Sequence, residues 1–146
     1  MKKKSKNIFI EGPISPEKIA TSIAHHQSKT GIGAHDIFLG QVRADTINGK
    51  TVTAIDFSTQ REMANAVCHE IREAMFERFN LHCMHIYHSL GTVKAGELCF
   101  FVFVSGGHRN DVFEALQVLV DEIKAKVPIF GKEIFEDATH QWKVNN

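Results

Sequence analysis

The chain has 146 residues, of which 43% are hydrophobic and 23% charged, with 17 Lys plus Arg balanced by 17 Asp plus Glu. This composition predicts one globular domain over 1–146, and the charge balance excludes a general attraction to nucleic acid or an anionic membrane. No apolar run approaches the roughly 20 residues of a membrane span, and the basic start lacks the apolar core of a signal peptide. Three widely spaced cysteines are typical of free thiols. We therefore expect a cytoplasmic protein, with 1–6 as a disordered tail.

Local signals mark one helix start and one hairpin. Ser15, Pro16 and Glu17 combine a capping serine, a proline at the first helical position and an acid in the first turn. Asn48-Gly49 is the strongest short hairpin signal in the chain.

Hydrophobic periodicity predicts the other elements. The expected strands cover 7–11, 34–43, 51–58, 82–88 and 98–105, the two longer helices cover 61–79 and 109–127, and a terminal hairpin covers 129–135 and 141–144. Hairpins mixed with helices favour an α+β fold over a doubly wound parallel sheet.

The segment Ser105-Gly106-Gly107-His108-Arg109 is a candidate anion site. A strand ends there, two glycines allow a sharp turn, and a helix begins with free backbone N–H groups. Arg109 adds a side chain that can clamp a phosphate or carboxylate. A solvated polar loop is the alternative, and the Gly-Lys-Ser/Thr signature of a phosphate loop is missing.

Lys124 projects beside the apolar stripe of the third helix, one turn before Pro128. If the apolar flank removes its solvation, Lys124 becomes a usable acid, base or nucleophile. If its ammonium instead reaches water, it is an ordinary surface lysine. Arg43, at a strand end, matters only if the fold brings it near His108 and Lys124.

The nine histidines show no metal-binding spacing. His82 and His88 share a strand but lie six residues apart, too far to chelate one ion by local spacing. We therefore predict no metal site. A Gly-x-Ser-x-Gly elbow is also missing, which leaves a hydrolase without support.

Four segments in register carry a family resemblance: Phe38-Leu39-Gly40-Gln41-Val42-Arg43, Ser105 to Arg109, Phe113-Glu114-Ala115, and Lys124 to Glu133. Together they resemble the large, catalytic subunit of molybdopterin synthase, the MoaE family, over about Ile8 to Trp142. The resemblance implies an α/β hammerhead-type α+β fold with antiparallel strands, three main helices and a C-terminal hairpin.

The resemblance also implies a sulfurtransferase of molybdenum cofactor biosynthesis. The sulfur comes from a small ubiquitin-like subunit whose C-terminal Gly-Gly ends in a thiocarboxylate. Two deliveries convert cyclic pyranopterin monophosphate (precursor Z) into molybdopterin, without a metal or redox cofactor. The large subunits are expected to form a homodimer within a heterotetramer.

Site residues follow by matching positions. The resemblance assigns catalysis to Lys124 and Lys132, and substrate binding to Phe38, Gln41, Val42, Arg43, His108, Arg109, Lys124, Gly131, Lys132 and Glu133. A cyclic phosphate needs positive charge, which agrees with the anion site at His108 and Arg109.

Two departures from the family pattern affect these assignments. Where the family has a second lysine, this chain has Gly131, and the lysine follows as Lys132. A one-residue shift in a strand reverses the facing of a side chain, so we predict a bulge at Gly131 that turns Lys132 towards Lys124. An arginine that some members carry near the C-terminus is also missing, so its role is either dispensable or taken by Lys143.

Two other functions remain open from the sequence. A non-catalytic scaffold subunit of the same fold would keep the partner surface but lack an open pocket at Lys124. A small anion- or nucleotide-binding regulatory domain would use the helix start at His108 as its whole site and need no protein partner.

Overall fold

The computed structural model describes residues 5–144. Residues 1–4 of the predicted tail therefore lie outside the described residues, whereas Ser5 and Lys6 precede the first strand without regular secondary structure. Within the described part, no helix combines the length and the apolar character needed to cross a lipid bilayer.

Three helices form at the predicted places: α1 is Pro16–His26, α2 is Arg61–Arg78 and α3 is Arg109–Lys126. The Ser15 hydroxyl caps α1 by accepting a hydrogen bond from the backbone N–H of Lys18, at 3.3 Å. The Gln60 side chain caps α2 in the same way and accepts from the backbone N–H of Met63. Helix α3 stops just before Pro128, which cannot continue a helix. Local sequence signals therefore account for the starts of α1 and α2 and for the end of α3.

The strands are β1 Phe9–Glu11, β2 Ala34–Gln41, β3 Thr46–Ile47, β4 Lys50–Thr59, β5 Cys83–Lys94, β6 Leu98–Gly106, β7 Ile129–Phe135 and β8 His140–Trp142. Antiparallel ladders join them in the order β2-β6-β5-β4-β7-β8, with β3 beside β4. Against the expected antiparallel pattern, β1 runs parallel to residues 88–90 of β5. No tight turn connects β1 with β5, so hairpin geometry does not dictate their direction.

Strand β5 is longer than predicted, because it continues past His88 to Lys94. It pairs with β6 through Cys83–His88 and with β4 through Gly91–Lys94. Gly91 lies between the two partners and has a φ of 80°, a conformation that glycine adopts without strain. Gly91 thus lies where β5 changes its antiparallel partner from β6 to β4, and the strand continues through it.

The predicted hairpin at Asn48-Gly49 is confirmed, with φ angles of 52° and 78° at its two turn residues. Two positive φ angles match a type I′ turn, whose twist suits the flanking strands. The terminal hairpin is also confirmed, as β7 paired with β8.

Alternating side chains give the sheet two differently covered faces. Met84 and Val102 belong to the main core, which α2 and α3 complete. On the opposite face, Phe101 and Phe103 form a second cluster, against which Ile19 of α1 packs. The strands are therefore buried between α2 and α3 on one side and α1 on the other.

Asn65 of α2 holds the chain at the start of β1. Its side-chain oxygen accepts a hydrogen bond from the backbone N–H of Ile8 at 3.0 Å, and its nitrogen donates to Asn7.

We predict that Asn65→Ala lowers the free energy of unfolding by about 1–3 kcal/mol, because the buried Ile8 N–H loses its partner. Urea denaturation measures the change. Glu77→Ala, on the exposed side of the same helix, should stay within about 0.5 kcal/mol. Equal losses in both variants would contradict this role for Asn65.

Candidate active site

A cavity of about 110 Å³ opens where the C-terminal end of α3 meets the sheet. Its wall is part apolar and part polar, with Phe57, Phe100 and Val127 among the apolar lining residues. Among the described residues that line it, Lys124 and Lys143 are the two that carry a charged side chain. The cavity is therefore a small pocket of mixed polarity with two cations, which suits an anionic group.

Lys124 lies in the last turn of α3 and borders this cavity. Its neighbours Ile123 and Val127 are buried, as the apolar stripe predicted. The lysine itself is exposed, so the expected loss of solvation does not occur in the single chain. Lys124 would lose its contact with water only when a bound molecule fills the cavity.

The predicted bulge at Gly131 is wrong. Strand β7 pairs with β4 in an unbroken register from Ile129 to Ile134, with Gly131 opposite Phe57. Gly131 lines the cavity, whereas the Lys132 ammonium lies 5.9 Å from the centre of the Trp142 ring. Regular alternation thus sends Lys132 to the other face. The structure does not bring Lys132 to Lys124.

Lys143 borders the cavity beside Gly131, where a side chain at residue 131 would also lie. Its backbone N–H donates to the Gly131 carbonyl at 2.7 Å, directly after the β7–β8 ladder that pairs Lys132 with Trp142. Directly paired residues of adjacent strands face the same side of a sheet. The second cation of the cavity therefore comes from the strand beside Gly131.

The floor of the cavity is polar but uncharged. Burial, together with the charges of Lys124 and Lys143 and against the hydrogen bond to Ser89, lowers the pKa of His88 to about 4. The His88 ring accordingly stays neutral at neutral pH, with its Nδ1–H donated to the Ser89 carbonyl at 2.8 Å. Burial also raises the pKa of the Cys99 thiol. Sequence reasoning missed His88 and Cys99 as pocket residues, because no local motif indicates which strand residues face a distant helix end.

The segment 41–43 only partly reaches the cavity. Gln41 lines it. Val42 is 2% exposed, and its backbone N–H donates a hydrogen bond to the Glu97 carbonyl. Its side chain therefore packs in the core and stabilises this segment. The Arg43 side chain is 77% exposed and pairs with Asp45 at 3.2 Å.

Phe38 and Glu133 also lie outside the lining of this cavity. The Phe38 ring packs edge-on against Phe100, with 5.7 Å between ring centres, and borders a separate shallow depression beside Phe113. Glu133 faces the same side of β7 as Gly131 but is 7% exposed and accepts a hydrogen bond from Gln141 at 3.4 Å.

His108 and Arg109 form a second site at the opposite end of α3. With Gly33, Gly107 and Asn110 they line a shallow open depression. Lys124 follows Arg109 by 15 residues on the same helix, an axial distance of about 22 Å. Within one chain, one small substrate cannot touch both sites.

Gly33 supports this second site by a close backbone approach. Its N–H donates to the Gly106 carbonyl at 3.0 Å, and a Cβ at this position would lie 2.3 Å from the Gly107 carbonyl oxygen. Glycine at residue 33 therefore lets the loop before β2 pack against the loop before α3.

A groove of about 460 Å³ leads outwards from the cavity, sharing Lys124, Gly131 and Lys143 with it. Phe130 and Trp142 line the groove and are 56% and 60% exposed. Exposed aromatic side chains beside a pocket are typical of a surface that binds a partner.

Comparisons with known proteins agree with the sequence resemblance. The MoaE protein family model matches residues 9–126. Molybdopterin synthase catalytic subunits of Aspergillus fumigatus and Aspergillus clavatus are 33% and 31% identical over 86% and 95% of the chain. The matches cover 66% and 69% of those relatives, so the chain spans about two thirds of their length.

Solved structures have the same fold. A molybdopterin synthase structure from Staphylococcus aureus has a TM-score of 0.81 and 25% identity, covering 99% of both chains. A complex of subunits 1 and 2 of molybdopterin-converting factor from Helicobacter pylori has a TM-score of 0.78 at 16% identity, covering 92% of this chain and 87% of its own. From the family match and these relatives, the chain belongs to the MoaE family of molybdopterin synthase catalytic subunits.

Proposed function

We propose that the chain is a cytoplasmic sulfurtransferase, the catalytic subunit that makes molybdopterin from cyclic pyranopterin monophosphate. The observation that carries the proposal is the cavity bordered by Lys124 and Lys143, which adjoins a groove that shares both lysines. The sulfur donor is the C-terminal thiocarboxylate of a small ubiquitin-like subunit. The H. pylori relative, a complex of two molybdopterin-converting factor subunits, supports such a partner.

The groove suits an extended Gly-Gly tail. Phe130 and Trp142 offer apolar surface at its outer part, and Lys124 and Lys143 lie at its inner end. A glycine tail has no side chains to clash in the narrow cavity, and its terminal thiocarboxylate is an anion. The two ammonium groups would hold that anion by charge-assisted hydrogen bonds.

In the proposed reaction the tail donates the sulfur, and the two lysines assist the cleavage that releases it. The thiocarboxylate sulfur forms a bond to a carbon of the substrate while a carbon–oxygen bond of that carbon breaks, and the displaced oxygen takes up a proton. The product is a thioester between tail and substrate. Water then cleaves the acyl–sulfur bond, so the tail leaves as a carboxylate and the sulfur stays on the substrate. Lys124 and Lys143 stabilise the oxyanion that forms in this cleavage and can supply a proton. These steps use no metal or redox cofactor.

The phosphate of the substrate needs positively charged groups, which the second site at His108 and Arg109 can provide. His108 and Arg109 lie too far from Lys124 along the same α3 to share one substrate with it. In a two-fold dimer, the same surface patch serves both subunits, so the N-terminal end of α3 of one copy can face the cavity of the other. We therefore propose a homodimer, within a heterotetramer, in which His108 and Arg109 hold the phosphate of a substrate bound at the other copy's Lys124.

The open cavity distinguishes this proposal from its alternatives. A scaffold subunit needs no pocket at Lys124, yet Lys124 borders one. A nucleotide-binding domain would use only the depression at His108, which leaves the cavity with its two lysines unexplained.

We expect Lys124→Ala to slow molybdopterin formation in a single-turnover assay by about 100-fold or more, the usual cost of losing an oxyanion-stabilising group. The assay combines the chain with thiocarboxylated small subunit and cyclic pyranopterin monophosphate, and measures the oxidised fluorescent product. Lys94→Ala, an exposed lysine outside the cavity and groove, should react like the wild-type chain. Full activity of Lys124→Ala would refute the catalytic proposal, whereas inactivity of the wild-type chain in a stable complex would favour the scaffold.

Lys143→Ala should slow the same reaction about tenfold or more, because a charge-assisted hydrogen bond contributes roughly 1.5–3 kcal/mol. Lys132→Ala is the matched control, since Lys132 lies one position from Gly131 but faces away from the cavity. A larger defect in Lys132→Ala than in Lys143→Ala would show that the second cation is assigned to the wrong residue.

Mixed dimers test whether the site is shared between two copies. Lys124→Ala and Arg109→Ala chains are each expected to be nearly inactive. Co-expressed in equal amounts, they should recover about a quarter of the wild-type rate, because half of the dimers are mixed and each mixed dimer keeps one complete site. Absence of recovery, in mixed dimers isolated with two affinity tags, would place both residues in a site formed by one chain.

A further inference from the structure

The α1 face of the sheet carries a cluster of metal-ligating side chains remote from the lysine cavity. His26 of α1 meets Cys83 and His85 of β5, and the three potential ligand atoms all lie within 4.8 Å of one another. The Nε2 atoms of His26 and His85 are 2.9 Å apart. Cys83 and His85 face the same side of β5 because they are two residues apart, whereas His88 faces the other side.

The hydrogen bonds of His26 leave a lone pair directed into the cluster. Its Nδ1 lies 2.6 Å from the Ser22 carbonyl oxygen, which can only accept, so Nδ1 carries the proton. Its Nε2 is therefore the acceptor of the second hydrogen bond, which the Nε2–H of His85 donates. Metal-binding histidines commonly donate their second ring N–H to a carbonyl in this manner, which orients the ring.

The second imidazole is also ready to act as a ligand. Its Nε2 lies 2.9 Å from that of His26, and moving its proton to Nδ1 frees a second lone pair for a metal. Cys83 is 8% exposed and His26 is 6% exposed, so water competes little for these groups. Two neutral imidazoles and one thiol form a donor set that suits zinc.

The distances fit after small adjustments. Tetrahedral zinc with the usual bond lengths places two nitrogen ligands about 3.3 Å apart and nitrogen and sulfur ligands about 3.6 Å apart. The observed nitrogen–nitrogen distance is shorter by a few tenths of an ångström, and the widest pair of ligand atoms lies within 4.8 Å. Side-chain rotation can make both changes without moving the strand.

We propose that His26, Cys83 and His85 bind one zinc ion that fastens α1 to the central sheet, with water as the fourth ligand. On binding, the Cys83 thiol releases its proton to solvent and the thiolate sulfur bonds to the metal. The site lies on the opposite face of the sheet from the Lys124 cavity and is independent of sulfur transfer.

Lys29 opposes the metal and provides a test of its position. Its ammonium lies 3.0 Å from the Cys83 sulfur, where it would repel an incoming cation. Lys29 is exposed, so its long side chain can withdraw into water when the ion binds. Removing this charge should therefore strengthen zinc binding.

The experiment titrates the metal-free full chain with Zn²⁺ against a chromophoric chelator, and with Co²⁺ as a spectroscopic probe. The wild-type chain should bind one equivalent, melt at a higher temperature with zinc, and give a thiolate-to-cobalt charge-transfer band. Cys83→Ser should abolish that band and weaken zinc affinity more than about tenfold, since even loss of an outer hydrogen-bond partner costs 10–100-fold. No binding by the wild-type chain would mean that the cluster is only a hydrogen-bonded polar contact, which overturns the proposal.

Matched variants keep the result interpretable. Cys99→Ser and His25→Ala remove a thiol and an exposed imidazole outside the cluster, and both should bind zinc like the wild-type chain. Lys29→Met, a surface change that should leave the fold intact, should bind zinc more tightly. Equal losses in Cys83→Ser and Cys99→Ser, or weaker binding by Lys29→Met, would contradict zinc at this position.

Discussion

The two-residue alternation of β5 and β6 is the constraint on which the rest of the structure depends. Met84 and Val102 face the core under α2 and α3, while Cys83 and Phe103 face α1. Neighbouring residues of a strand face opposite sides of the sheet. The lysine cavity and the cluster of His26, Cys83 and His85 therefore occupy different faces of one sheet. Both can therefore exist in a small domain without sharing a side chain.

The same alternation explains how the cavity gains its second cation. A lysine one position late in β7 cannot enter the cavity as long as the ladder with β4 stays regular. Lys143 enters from the paired strand, because cross-strand partners face the same side. A glycine at residue 131 fits the tight packing at this point, since a Cβ there would lie 3.1 Å from Ile55. Lys143 thus borders the cavity where the regular strand keeps Lys132 out of it.

The elements that were predicted well are those with local causes. The cap at Ser15, the stop at Pro128 and the turn at Asn48-Gly49 depend on residues within a few positions of each other, and all three form as expected. The length of β5 and the parallel pairing of β1 depend instead on partners far along the chain. Local patterns carry no information about such pairings, so the sequence predicted β5 too short and did not identify the partner of β1.

The sequence by itself determined the family and the α+β class, predicted the three helices and singled out Lys124 as a candidate site residue, because four motifs in register and local periodicity suffice for these. It placed His108 and Arg109 at a helix start and Lys124 near the end of the same helix, but it did not reveal which strand residues meet them. Only the tertiary structure decided that Lys143, not Lys132, borders the cavity and that His26 meets Cys83 and His85. These contacts join residues of different elements, and only the packed sheet brings such residues together.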